Sequence, residues 1–458
     1  MERKITAKLI DWKNSEGKKS LIVTGCRQVG KTYSIIDFAK THYSSHIYIN
    51  FEIMQDVAKL FDGNLDADTI FEKLIMYSNV KTTTGSSLII LDEIQRCSAA
   101  ISSLKSMTLD GRYDVIASGS LLGINLDTDG GHLSPLGYVD IIEMQPMDFE
   151  EFLWAMGANK DLIEMIRGCI RMKTPIDKYF LKKITDLFKR YIVVGGMPEA
   201  VAEYASSKDY VKTRGKLKKI LGVLEMDASR YSGKLDAMKI LSCLHSVPEQ
   251  LAKGNSRFVY SDVEKKSGTG KREYQPSLMW LEKAGMIDFC YNLREPVAPL
   301  ATKTVESSFK VYMKDTGLLM TLMDDADANA IVNGDVLANN GAPMENAVSC
   351  AIRNAGYPLR FYAKADSTLE VDFIINAKGT VNAIEVKSGT NKRAKSLTTL
   401  TSERKNIRGI KISDTNIFTD ENGIDNYPLF APCFFEVADS SIEPPDYIDD
   451  MNARFMKR

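Results

Sequence analysis

A chain of 458 residues with 44% hydrophobic and 26% charged content has the make-up of a globular protein with room for about three domains. Its 59 Lys and Arg against 60 Asp and Glu leave a net charge of −1, which excludes a polycation, so contact with nucleic acid has to come from local patches. Seven scattered cysteines with no C-x-x-C pair and four histidines argue against structural zinc and fit a reducing cytosol, and the lack of an apolar signal core or of a run of about 18 apolar residues points to a cytoplasmic protein with no membrane contact.

The first third alternates strand and helix signals. Residues 20–24, 46–52, 87–91, 113–117 and 139–144 read as strands, the fourth closing on Ser118-Gly119-Ser120; residues 67–80 and 99–109 read as helices. Such alternation implies a parallel sheet covered on both faces. The first strand leads directly into Gly25-Cys26-Arg27-Gln28-Val29-Gly30-Lys31-Thr32, a complete G-x-x-x-x-G-K-[ST] phosphate-binding loop, and the helix-compatible stretch from Tyr33 follows it. The two glycines let successive N–H groups turn toward phosphate oxygens, and the helix adds the positive end of its dipole. Lys31 supplies an ammonium for the β- and γ-phosphates and Thr32 a hydroxyl for Mg²⁺, so residues 25–33 are the expected ATP-binding stretch. The third strand ends in Asp92-Glu93, where a carboxylate can reach Mg²⁺ and its neighbour can polarise an attacking water.

Residues 148–204 turn helical, broken at Val194-Gly195-Gly196-Met197-Pro198, and read as a lid. Residues 239–251 and 274–284 read as amphipathic helices and 286–293 as a strand opening a hairpin, the order of a winged helix. The basic, Gly-rich loop 265–272 between them is either a phosphate-backbone contact or solvated surface. Strands return at 309–313, 359–362, 370–375, 381–386 and 410–412, with a helix over 344–354 before the second of these, and residues 440–458 form a polar tail. The expected division is 1–205, 206–305, 306–439 and the tail. Trp12, Trp154 and Trp280 are expected to pack rather than stack on bases, Cys26 to be a plain loop residue, and His132 to have no catalytic use.

A second constellation lies near the C-terminus. Glu345 opens the 344–354 helix, Asp372 alternates with apolar neighbours, and Glu385 and Lys387 fall on one face of a strand. Glu345, Asp372 and Glu385 offer hard oxygen ligands for Mg²⁺, and Lys387 could act on a water or on a scissile phosphate. The spacing D-x(n)-E-x-K occurs in many charged chains, so the same residues also read as solvated strand positions. Basic residues nearby (Lys387, Lys392, Arg393, Lys395, Arg404, Lys405, Arg408, Lys411) make an electrostatic footprint for DNA.

Together with Asn50-Phe51-Glu52, Leu91 to Arg96, Gln145 to Phe152, Gly195 to Glu199, Tyr312 to Leu319, Glu345-Asn346 and Ile384 to Gly389, these motifs resemble the bacterial and archaeal AAA-type ATPases that carry a C-terminal restriction-endonuclease-like (PD-(D/E)XK) domain of uncharacterised role. The resemblance covers nearly the whole chain. It implies an α/β fold: a P-loop NTPase parallel sheet with a helical lid, then winged-helix-like and α/β nuclease-like domains. It makes residues 25–32 the Walker A loop, Asp92 and Glu93 the Walker B pair, and Ser118 a sensor of the γ-phosphate. It also implies a homo-oligomer in which an arginine meets the γ-phosphate, with Arg96, Arg112 and Arg190 as candidates. The family pattern carries Gly-Arg before the fifth strand; Gly137-Tyr138 stands there in this chain and provides no such arginine. Two functions follow as expectations. One is a Mg²⁺-dependent ATPase that couples hydrolysis to DNA binding or processing, with Asp372, Glu385 and Lys387 as nuclease-type residues. The other is a nucleotide-gated binding module whose nuclease-like fold is inert.

Overall fold

Strand β1 (Ser20–Thr24) is buried along its whole length, and its side chains divide between two cores by the period-two rule. Leu21 and Val23 face Ile5, Leu9 and Trp12 of α1 (Ile5–Asn14) and Ile35 and Phe38 of α2 (Lys31–His42); Ile22 faces the other way. That second face is covered by Ile70, Phe71 and Leu74 of α3 (Ala67–Ser78) and by Ile101 and Leu104 of α4 (Ser98–Asp110). With β2 (Ser45–Asn50), β3 (Ser87–Asp92), β4 (Asp114–Ser118) and β5 (Val139–Glu143), β1 forms an all-parallel sheet in the order β2-β3-β4-β1-β5. Thr24, Asn50, Asp92, Ser118 and Glu143 therefore line up along one edge. The second strand stops at Asn50, two residues short of the expectation, because the Asn50 side-chain oxygen accepts from the N–H groups of Glu52 and Ile53 at 2.9 and 3.0 Å and turns the chain.

The computed structural model describes residues 1–119, 135, 137–231, 234–253, 257–264, 270–333, 341–364, 369–388 and 394–436. Ser120, His132, loop residues 265–269, Gly389, Lys392, Arg393 and the tail from 440, all singled out in the sequence, lie outside these.

The expected lid comprises α5 (Phe149–Ala155), α6 (Lys160–Met172), α7 (Lys178–Val194) and α8 (Pro198–Ser207). Asp148 and Glu151 form a capping box at the start of α5. Three longer helices follow: α9 (Tyr210–Tyr231), α10 (Lys234–Leu251) and α11 (Lys271–Lys283). The antiparallel pair β6 (Ile287–Leu293) and β7 (Thr304–Met313) comes next. The expected boundary at 305/306 falls inside β7, and this hairpin continues into the sheet β7-β6-β8-β9 through β8 (Arg360–Ala363) and β9 (Glu370–Val371). Helices α12 (Thr316–Leu322) and α13 (Asp325–Asn333) pack against α7.

Helix α14 (Gly341–Asn354) precedes a third sheet in the order β10-β11-β12-β14-β13, made of β10 (Phe373–Ala377), β11 (Thr380–Lys387), β12 (Ile407–Ser413), β13 (Phe418–Thr419) and β14 (Asp425–Pro428). Helix α15 (Lys395–Glu403) connects β11 to β12, which lie parallel. From Met147 to Phe434 one apolar core is shared: Phe149 of α5 packs on Phe430 and Phe434 with ring centroids 6.5 and 6.2 Å apart. Trp154 and Trp280 pack against that core, as Trp12 does against the first sheet.

Candidate functional site: the phosphate loop and a buried carboxylate cluster

Gly25 (φ +141°) and Gly30 (φ +94°) both adopt backbone angles that side chains disfavour, and a Cβ on Gly25 would overlap the Met144 carbonyl oxygen. Lys31, the first residue of α2, folds its ammonium back onto the loop and donates to the Gly25 and Cys26 carbonyls at 2.9 Å each. It is 7% exposed, and burial lowers its pKa. A phosphate oxygen offers this group better acceptors than two carbonyls do.

Asp92 ends β3 at the centre of a hydrogen-bonded fan. Its carboxylate accepts from Thr32 Oγ1 at 3.0 and 3.1 Å, from Tyr48 Oη at 2.8 Å, from Asn50 Nδ2 at 3.0 Å, and from Ser118 Oγ. The Thr32 hydroxyl and the Asp92 carboxylate are thus close enough to share one coordination sphere, and both are hard oxygen donors of the kind Mg²⁺ takes. Glu93 follows in a left-handed conformation (φ +56°); Gln95 Nε2 donates to Glu93 Oε2 at 2.5 Å. The structure so brings together Thr32, Asp92, Glu93 and Ser118 at the strand ends beside Lys31.

Two contributors, Tyr48 and Arg3, had no motif to announce them, and Asn50 was named only within the Asn50-Phe51-Glu52 motif. Tyr48 and Asn50 hold Asp92 from the neighbouring strand. Arg3, 8% exposed, donates to Glu151 Oε1 (3.0 Å), to the Val29 carbonyl of the phosphate loop (2.9 Å) and to the Gln145 carbonyl (2.9 Å). Of the arginine candidates, Arg96 pairs with Glu52 at 3.2 Å. Arg112 precedes β4, at the end of the sheet opposite the chain's own phosphate loop, and pairs with Asp110 and Asp68. Arg190 lies exposed on α7.

The loop also meets the middle of the chain. Arg27 pairs with Asp227 of α9 at 2.8 Å. A Cβ on Gly285 (φ +73°), in the α11–β6 turn, would come within 3.2 Å of Cys26 at a backbone angle that side chains disfavour, so glycine suits this approach. Cys26 is buried as a result, and burial pushes its thiol up to about 11, which fits a plain loop residue rather than a reactive one. Glu143, at the end of β5, pairs with Lys314 at 2.9 Å, and Lys314 lies 3.6 Å from Asp288.

The second constellation is assembled in space from α14, the β9–β10 junction and β11. Lys387 pairs with Glu385 at 2.6 Å, and Asp372 Oδ2 accepts from the Val386 N–H at 2.8 Å. Burial raises the pKa of both acids; the charge of Glu385 adds to the effect at Asp372, and Lys387 opposes it at Glu385. Lys310 of β7 also stands among these carboxylates. It is 1% exposed and lies 3.1 Å from Glu345 Oε1, 2.9 Å from Glu370 Oε1 and 3.7 Å from Asp372 Oδ1; Tyr312 Oη donates to Glu345 as well. Among the described residues no three His, Cys, Asp or Glu side chains are arranged to hold a metal ion. In this arrangement Glu345 and Asp372 face the Lys310 ammonium and Glu385 pairs with Lys387. Of the basic footprint, Arg408 is engaged with Asp425 at 2.7 Å.

Residues 17–153 match the family model described as "AAA domain". Together with the phosphate loop and the parallel sheet, this defines the N-terminal part as a P-loop ATPase domain of the AAA type. Residues 185–329 and 340–429 match two models described as domains of unknown function, DUF8612 and DUF4143. No curated protein matches the sequence. Among solved structures, the chain is similar to a Walker-type ATPase of Pyrococcus abyssi (15% identity, TM-score 0.40, 70% of this chain and 96% of that one). It is also similar to the Aeropyrum pernix ORC1 protein, solved in complex with DNA (12%, 0.28, 73% and 91%), and to AMPPCP-bound DnaA from Aquifex aeolicus (15%, 0.26, 61% and 86%). No helix among the described residues is long and apolar enough to cross a membrane.

Proposed function

We propose that the chain binds ATP with Mg²⁺ at residues 25–33 and hydrolyses it. The observation that carries this reading is the convergence of Thr32, Ser118 and Asp92 beside Lys31, with Glu93 next in the chain. Loop N–H groups cradle the phosphates, and Lys31 exchanges two carbonyls for phosphate oxygens. Thr32 and Asp92 would hold the Mg²⁺, whose charge offsets that of the β- and γ-phosphates. Glu93, steadied by Gln95, accepts the proton of the attacking water, and Ser118 hydrogen-bonds the γ-phosphate or that water. An arginine from a neighbouring copy completes the site, so a homo-oligomer is part of the proposal; its contribution is on the order of 10³–10⁵ in rate. DNA is the proposed partner of the helices and hairpin over 210–313 and of the basic C-terminal surface.

ATP turnover and nucleotide affinity test the reading together. Glu93→Gln should keep ATP affinity and lower turnover by about 10²–10⁴; Lys31→Ala should lose affinity. Unchanged turnover in Glu93→Gln would refute the assignment.

The position of Lys310 favours the second reading for the C-terminal fold, a recognition module that does not cut. Plasmid nicking with Mg²⁺ or Mn²⁺ decides this: activity present in the wild type and lost in Asp372→Ala would restore the nuclease reading.

A further inference from the structure

We propose that Lys310 is the resident cation of the C-terminal carboxylate cluster, a tethered ammonium standing where a restriction-endonuclease-like site would place a divalent metal. Lys310 comes from β7, within the segment 185–329, whereas the acids it meets come from the segment 340–429. Its ammonium is within hydrogen-bond distance of Glu345 and Glu370 and next to Asp372. A lysine with 1% exposure in the run Phe309-Lys310-Val311-Tyr312-Met313 is costly to bury, and it is tolerated only where carboxylates meet it. A metal at that position would have to take its oxygens from the ammonium and sit beside it, like charge against like.

One atom measures what the lysine leaves unsatisfied. Glu385 Oε2 is buried without a hydrogen-bond partner. One free oxygen does not make a site for a hard cation, which takes about six oxygen ligands. Removing the ammonium would release Glu345, Glu370 and Asp372 to join it. The cluster in the wild type is thus a metal-free ionic staple between two parts of the chain, and a latent metal site in a variant lacking Lys310. This inference does not depend on whether the chain hydrolyses ATP.

The test is Mn²⁺ binding to the full-length protein, stripped with EDTA and free of nucleotide, followed by electron paramagnetic resonance. Any Mn²⁺ at the phosphate loop is common to all variants and cancels in the comparison. Wild type and Asp372→Asn should bind the same number of Mn²⁺ ions. Lys310→Met should gain a site at least tenfold tighter than any other, and Lys310→Met with Asp372→Asn should lose it; Lys310→Arg should gain none. A Mn²⁺ site present in the wild type and lost in Asp372→Asn overturns the proposal, as does a folded Lys310→Met that gains nothing. If Lys310→Met does not fold, the comparison of wild type with Asp372→Asn decides the matter alone.

Discussion

Arg3 shows how much of the nucleotide site rests on one residue outside every motif. Its three hydrogen bonds tie the phosphate loop, the chain after β5 and helix α5 together while it is almost fully buried. Arg3→Ala would leave Glu151 buried with one partner fewer, so a loss of about 3 kcal/mol is expected in denaturant unfolding, with weaker ATP binding alongside it. Lys31 and Thr32 were legible in the sequence because a phosphate loop is local: eight consecutive residues carry the turn, the ammonium and the hydroxyl. Arg3 was not, because its partners lie 26, 142 and 148 positions away and nothing nearby signals them. Lys310 lies between these cases. Glu345 and Asp372 were singled out as acids, and position 310 lay in a segment read only as a strand, but nothing local joined the two.

At the scale of elements, the short helix α12 depends on its cap. Asp315 accepts from Leu318 N at 2.8 Å and, across the fold, from Gly196 N at 2.5 Å. Burial pushes its carboxyl up to about 6, against the pull of those N–H groups. The folded pKa exceeds that of an unfolded aspartate, so between about 4 and 6 the folded state binds more protons than the unfolded one. The contribution of this group is therefore greatest in acid and declines as pH rises through 6, by on the order of 2 kcal/mol. The stability gap between wild type and Asp315→Asn, read from urea midpoints at pH 5 and pH 7.5, should shift in favour of the variant at the higher pH. A gap that shifts the other way would reverse the sign assigned here. The strands of the first sheet were readable to within two residues: β1, β3 and β4 are apolar runs with both faces covered, and the edge strands β2 and β5, only partly buried, still carry enough apolar residues to show. The hairpin β6–β7 was harder: its second strand is polar in its first half, exposed at Glu306 and Ser307, and only the pairing with β6 reveals where it starts.

At the scale of the whole molecule, Cys26 reports on the joint between the phosphate loop and the α11–β6 turn. Gly285→Val would force a branched side chain against Cys26 at a left-handed backbone angle, with a strain of about 1–3 kcal/mol. The expected result is a faster reaction of Cys26 with a thiol reagent, followed by mass spectrometry of the labelled peptide. An unchanged rate would mean that the turn does not shield the thiol. This joint was invisible in the sequence because its chemistry is an absence: a missing side chain at position 285 that lets two distant backbones touch. The ion pair Arg27–Asp227 ties the same loop to α9, and Glu143–Lys314 ties the end of β5 to the end of β7.

The aromatic contact of Phe149 with Phe430 and Phe434 bears on how the chain can be divided. A truncation ending after α8, at the boundary that a modular reading suggests, would remove Phe430 and Phe434 and leave Phe149 without that cover, an apolar face in water. Recombinant fragments ending near residue 205 are expected to precipitate.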